Sequence, residues 1–252
     1  MLTTKLLAAA AIALLSRVQP AQDDARVPGL LLPFDAVTYL TGRFEPDTSR
    51  AFALLPAEVA GTRQIWLRKE AAQALIRMTA AARDEGIALT VLSGTRSYAG
   101  QKAIWEAKFS GRRTSAGRNL ARDFPDTRQR VEAILRYSSA PGTSRHHWGT
   151  DIDLNSTTMS WWATRDGMQA LTWLHRRGGE FGFELPYTSH REHGYRYEPW
   201  HWSYAPLARP LLVQHYRKTI TTKDLGDFLG AGHFQQLPWM KWYVEGVAEV
   251  LK

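Results

Sequence analysis

The sequence predicts an α+β fold, a small and mostly antiparallel sheet flanked by helices. Three observations predict it. Helical and strand-like segments mix without the regular strand–helix alternation of a doubly wound sheet. The strand-like runs are short and are interrupted by Gly and Pro. Apolar residues recur at helical spacing in stretches of three turns or more.

Taken in order, the chain opens with Lys5 followed by the apolar run Leu6 to Leu15, then Pro20, Ala21 and the acidic pair Asp23–Asp24. That run is too short for a comfortable membrane span and reads as an export signal over residues 1–21. Gln19 is an imperfect residue for a cleavage site after Ala21, so an uncleaved anchor is the alternative. No other stretch could span a membrane, so a mature chain without stable membrane insertion is expected.

Residues 25 to 65 read as Pro-containing loops and short strands. Trp66 to Glu85 reads as a helix, with Ala71, Leu75, Met78 and Ala82 on one face and Gly86 ending it. Ile87 to Leu92 reads as a strand running into Ser93-Gly94-Thr95-Arg96-Ser97. Tyr98 to Phe109 reads as a second helix, and Gly111 to Asp126 as a basic, polar loop. Asp126 is placed to cap a third helix through Tyr137. His146 to Asn155 reads as a turn feeding a strand, and Asp166 to Arg177 as a helix stopped by Gly178–Gly179. Tyr195 to Trp202 is read as extended. Residues 216–252 form a helical extension whose Trp239, Trp242 and Tyr243 need a surface to pack on.

The 252 residues carry a formal charge of +8 and no cysteine. A basic surface attracts anions without naming them, and the cations are scattered rather than concentrated in a recognisable nucleic-acid motif, so no nucleic-acid partner is expected. Without cysteine there is no disulfide, thiolate metal site or cysteine nucleophile; a metal must sit on His, Asp or Glu.

Hydrolytic metal chemistry needs three protein ligands, an open position, a carboxylate base and a cation for the oxyanion. Candidates cluster in two places, Ser144-Arg145-His146-His147-Trp148-Gly149-Thr150-Asp151-Ile152-Asp153 and Glu198-Pro199-Trp200-His201-Trp202. Asp151 shares a strand face with Asp153 and is the competing carboxylate, and His147 stands beside His146 as an alternative ligand or a substrate contact. Glu198 and His201 would point opposite ways on a flat strand, so a bulge or bend is required there. His175, His190, His193, His215 and His233 read as packed or surface imidazoles.

The conjunction of Ser-x-His-x-x-Gly-x-x-x-Asp (144–153), Glu-x-Trp-His (198–201) and Ser-Gly-x-Arg-Ser (93–97) resembles the VanY-type D-alanyl-D-alanine carboxypeptidases over about Leu75 to Tyr204. The resemblance implies a zinc D,D-peptidase fold over residues 25–215 and one zinc ion on His146, Asp153 and His201. It makes Glu198 the general base and Arg96 the support of the scissile carbonyl and its oxyanion. By the same resemblance Ser144 and Gln101 line the substrate pocket; Tyr98 and Trp200 are aromatic neighbours that either contact substrate or pack around the site. It further implies peptidoglycan stem peptides as substrates, hydrolysis of their terminal D-Ala-D-Ala bond, and an exported protein in the periplasm or at the cell wall. The alternatives are an L,D-carboxypeptidase, a peptidoglycan endopeptidase, and a non-catalytic zinc-containing cell-wall-binding module. The chain departs from many relatives at Arg145, where they carry Glu, and at Asp151, where they carry a small residue.

Overall fold

Strand alternation gives the central sheet two chemically opposite faces. In β4 (Asp151–Leu154) and β6 (His201–Tyr204), Ile152 pairs with Trp202 on one face. Asp151 pairs with Ser203, and Asp153 with His201, on the other. Opposed residues of an antiparallel pair project to the same side. One face is thus apolar and the other carries two carboxylates, a histidine and a hydroxyl.

The computed structural model describes residues 30–252, so the proposed export signal lies outside the described residues. The sheet has the order β3-β4-β6-β5, with β3 Val91–Ser93 and β5 Phe183–Glu184, and every pairing is antiparallel. A second antiparallel pair joins β1 (Phe52–Leu54) to β2 (Trp66–Arg68). Four longer helices surround these strands: α1 Lys69–Asp84, α2 Tyr98–Phe109, α3 Thr127–Leu135 and α4 Arg165–Arg177. The architecture is the α+β arrangement that the sequence predicts.

The apolar face of the sheet is sealed by α1 and α4. Ala71, Leu75, Met78 and Ala82 of α1 and Trp173 and Leu174 of α4 pack with Val91, Ile152, Leu154 and Trp202 in one buried core. Each fully buried large apolar side chain contributes roughly 1.5–3 kcal/mol relative to exposure, so the core fixes the sheet and hence the opposite face. The Asp126 cap agrees with the sequence, its side chain accepting from Gln129 N–H, and the structure adds a cap at Ser97, which accepts from Gly100 N–H.

Several boundaries differ from the sequence reading. Trp66–Arg68 is strand rather than helix, because these residues pair with Phe52–Leu54 and bury Leu67 before the chain turns helical at Lys69. Strand β3 is shorter than Ile87 to Leu92 and shifted toward Ser93. Of the segment Tyr195 to Trp202, only His201 and Trp202 are strand; Glu198 to His201 is instead a tight turn. A short helix, Leu120–Asp123, interrupts the basic loop.

Residues 31–252 form one compact unit. Within it the chain beyond Tyr216 folds back as short helical turns onto α2 and the Gly142 turn. The Tyr216 hydroxyl donates to Gly142 O at 2.6 Å, Trp105 Nε1 to Leu229 O at 2.8 Å, and the Tyr98 hydroxyl to Leu225 O at 2.7 Å. Trp239 lies against Phe234, Trp242 stacks on His193 at 4.6 Å, and Tyr243 lies 5.4 Å from Tyr195. No helix among the described residues is long and apolar enough to cross a membrane.

Candidate metal centre

Three side chains converge over the polar face of the sheet. Asp153 sits at its middle, paired with Ser93 on one side and His201 on the other. His146 arrives from the helical turn Arg145–Trp148, whose end is set by Gly149 at φ +71°. That backbone conformation suits glycine, and a Cβ there would stand 2.6 Å from the Phe52 ring. One ligand atom from each of His146, Asp153 and His201 lies within 4.8 Å of the others, and all three residues are buried. No other group of three His, Cys, Asp or Glu side chains converges this way among the described residues.

The hydrogen bonds behind the ligands decide which nitrogen faces the centre. His146 Nδ1 is 2.8 Å from Gly94 O, which can only accept, so Nδ1 carries the proton and Nε2 turns its lone pair toward Asp153, 3.4 Å away. His201 Nε2 is 2.8 Å from Asp151 Oδ2, leaving Nδ1 toward Asp153 at 3.4 Å and Glu198 at 3.6 Å. Asp153 Oδ1 is buried and has no hydrogen-bond partner. Two aligned imidazole lone pairs and an unpartnered buried carboxylate oxygen are what a divalent cation requires, and the residues fit one.

Asp151, the competing carboxylate, belongs to the layer behind the ligands. It accepts from Arg145 Nε at 3.0 Å, Thr150 at 2.7 Å and Ser203 at 2.8 Å, besides holding His201. Arg145 is itself fully buried, with a second bond to Ser203 at 2.6 Å and its guanidinium over the Trp148 ring. Arg145 and Asp151 therefore form one buried ion pair. Burial would raise the Asp151 pKa, but Arg145 and His201 hold it well below the usual carboxylate range. His201 is pulled the other way: burial alone would lower it, and Asp151 and Asp153 carry it up to about 9, so a cation at Nδ1 would take the place of a proton there. His147 is no ligand, since Nδ1 bonds Arg96 O at 2.7 Å and Nε2 accepts from Gly142 N–H; burial pushes its pKa down to about 3.

Glu198 reaches the same centre because its carbonyl accepts His201 N–H across the turn at 3.1 Å, placing both side chains on one side. Burial pushes its carboxyl up to about 7, with Asp153 adding to the effect and His201 opposing it. Arg96 approaches Asp153 at 3.7 Å and is held by Gln101 Oε1 and Ser93 Oγ, each at 2.8 Å. Gln101 in turn donates to Ser139 O at 2.7 Å.

His146, Asp153, His201, Glu198, Arg96, Gln101 and Trp200 all line one cavity of about 520 Å³. The structure does not bring Tyr98 or Ser144 into it. Tyr98 turns its ring toward Arg43 and its hydroxyl toward Leu225, on the far side of α2's first turn. Ser144 is buried at the start of the Arg145–Trp148 turn, where its carbonyl accepts His147 N–H. The cavity also includes residues that the motifs did not single out: Tyr187, whose ring lies 4.7 Å from that of His201, Tyr195, Lys108 and the loop Arg113 to Gly117. For Lys108 a signal existed, since Gln101, Ile104 and Lys108 share one face at helical spacing.

Comparison with known proteins points to one family. A family model described as VanY, D-alanyl-D-alanine carboxypeptidase, matches residues 64–207, more than half of the chain. A Bacillus subtilis protein named as a carboxypeptidase, YodJ, is 32% identical over 157 residues, covering 59% of this chain and 50% of its own. An Enterococcus faecalis D-alanyl-D-alanine carboxypeptidase is 26% identical over 137 residues, covering 54% and 47%. The chain thus spans about half the length of the curated relatives it matches. Among solved structures, the LD-carboxypeptidase LdcB aligns with a TM-score of 0.49 at 24% identity, over 78% of this chain and 81% of that one. A mutant of the D,D-pentapeptidase VanY in complex with Zn(II) aligns at 0.47 and 23%, over 64% and 88%.

Proposed function

The chain belongs to the VanY family of D-alanyl-D-alanine carboxypeptidases, and from that premise we propose that it is a zinc peptidase hydrolysing the terminal D-Ala-D-Ala bond of peptidoglycan stem peptides. The observation that carries the proposal is the convergence, in one cavity, of the buried His146–Asp153–His201 ligand set, the Glu198 carboxyl and the Arg96 guanidinium. A non-catalytic zinc module would need neither of the last two. Two histidines and a carboxylate also suit iron; family membership favours zinc.

The residues divide the chemistry among themselves. Bound zinc supplies Lewis acidity and makes water available as a nucleophile near neutral pH. Glu198, with its pKa near neutrality, accepts a proton from water as the oxygen joins the carbonyl carbon, and returns it to the amine nitrogen as the C–N bond breaks. Arg96, immobilised by Gln101 and Ser93, sets a fixed positive charge beside the developing oxyanion. Work on a cell-wall peptide supports a location outside the cytoplasm, in keeping with the export signal expected at residues 1–21.

The test is release of D-alanine from a pentapeptide stem, with and without a chelator, beside Glu198→Ala. Chelator-sensitive release that falls about 10²–10⁴-fold in the variant supports the proposal. If zinc-loaded protein releases no D-alanine but cleaves tetrapeptides or cross-linked peptides, the bond assignment is wrong.

A further inference from the structure

The cavity holds more positive charge than the reaction uses. Its acidic lining residues are Asp153 and Glu198, already engaged as ligand and base, while three cations face it: Arg96, Lys108 and Arg113. Arg96 belongs to the reacting end. Lys108 lies two turns along the inner face of α2 from Gln101, about 10 Å by helix rise, with Ile104 between them.

Lys108 is only 8% exposed, and its single hydrogen bond is to Ser138 Oγ, an uncharged partner. Among the described residues it makes no ion pair with a carboxylate, although buried ammonium groups are ordinarily paired. Arg113, on the loop after α2, is exposed and likewise without a carboxylate partner among the described residues. A buried cation lining a cavity, with no anion of its own, is a receptor waiting for one from outside. Burial, reinforced by Arg113, lowers the Lys108 pKa to about 8, so the ammonium form still predominates at neutral pH.

We propose that Lys108, with Arg113, forms a subsite that binds a carboxylate of the peptide substrate. The assignment rests on the peptidase reading of the cavity and adds to it a determinant of specificity. Two sources of the carboxylate share this chemistry: the free C-terminus of the leaving residue, and an acidic group on the acyl side of the scissile bond.

Calorimetry on zinc-loaded full-length protein carrying Glu198→Ala, which suppresses turnover, gives the affinities, with and without Lys108→Met. Three peptides are compared: one with every carboxylate free, one amidated at its C-terminus, and one amidated at its acyl-side acid. Lys108→Met is expected to weaken the free peptide roughly tenfold to a hundredfold, as for loss of a charged hydrogen bond. The loss should vanish for whichever amidated peptide lacks the carboxylate that Lys108 holds, and this identifies the source. In the native background, Lys108→Met should raise KM and leave kcat unchanged. Arg113→Gln, on an exposed side chain, should give a smaller loss with the same dependence on the carboxylate and guards against a folding defect in the first variant. Equal losses on all three peptides, no loss, or no binding would overturn the subsite. Carboxylate-dependent binding without any turnover by the native protein would uphold the subsite and remove the peptidase reading.

Discussion

The two ends of the cavity are built in different ways. At the metal end His146, His201 and Arg96 are each fixed twice, once by the backbone that carries them and again by a hydrogen bond behind the side chain. His146 is held by Gly94, His201 by Asp151, and Arg96 by Gln101 and Ser93. At the opposite end Lys108 has one hydrogen bond, and Arg113 and its neighbours stand on an exposed loop. Orienting ligands for a metal tolerates little error, so that end is over-determined. A subsite for a flexible carboxylate gains from charge alone and can be adjusted by changing a loop. Substitutions at the metal end should therefore abolish function, and those at the other end should grade it.

The largest effect should come from a ligand itself. His146→Ala leaves two protein ligands, too few for tight zinc binding, and hydrolysis should fall to background while unfolding stays cooperative. Zinc content by atomic absorption beside D-alanine release checks both. A variant that loses zinc and keeps full activity would break the comparison at its root.

Next comes the carboxylate behind His201. Asp151→Asn keeps the size but removes the charge that fixes the His201 ring and neutralises Arg145. Partners of this kind typically change metal affinity by about 10–100-fold. Leaving Arg145 buried and uncompensated should also cost about 3–5 kcal/mol of stability. Competition with a chromophoric chelator reads the first, and urea unfolding of the zinc-free protein reads the second. An unchanged zinc affinity would mean that His201 is oriented by the sheet alone.

This contrast also governs what could be read in the sequence. The metal end was legible because its residues lie in two short segments where a turn meets a strand, and the spacing His146 to Asp153 survives as a pattern. The helix Tyr98 to Phe109 matches the sequence reading at both ends, with Ser97 capping its start. What the pattern could not give was the pairing of Arg145 with Asp151, since their contact depends on the turn between them and on Ser203, which lies far along the chain. Nor could it give the burial of Lys108: its helical spacing from Gln101 and Ile104 was visible, but a lysine near a helix end usually faces solvent, and only the packing of α2 on the cavity buries it. Ser144 was assigned to the pocket by its motif position and Tyr98 as an aromatic neighbour of a motif, whereas neither lines the cavity.

A smaller effect belongs to the opposite end and depends on pH. The folded-state pKa of Lys108 is lowered to about 8, so its charge is present below that pH and is lost as pH rises through it. Burial, with Arg113 and Arg96, acts to lower the value and Glu198 to raise it. KM for a carboxylate-bearing peptide should therefore climb by roughly tenfold between pH 7.5 and 9.5 in the native enzyme, beyond what Lys108→Met shows over the same interval. Parallel profiles for the two would remove Lys108 from substrate binding.

The smallest effect is expected at Tyr98, and it tests the placement of the chain's last segment. The phenol donates to Leu225 O at 2.7 Å while Arg43 covers the ring at 4.2 Å, so Tyr98 ties the folded-back tail to the start of α2. Tyr98→Phe keeps the ring and the cation–π contact and removes one hydrogen bond, which should cost about 1 kcal/mol. Because α2 also carries Gln101 and Lys108, a loosened first turn could in principle disturb either end of the cavity. However, Gln101 is independently anchored by Arg96 and Ser139, so kcat and KM should both stay at native values. A tenfold fall in kcat/KM with stability unchanged would put Tyr98 in contact with substrate and overturn its position outside the cavity.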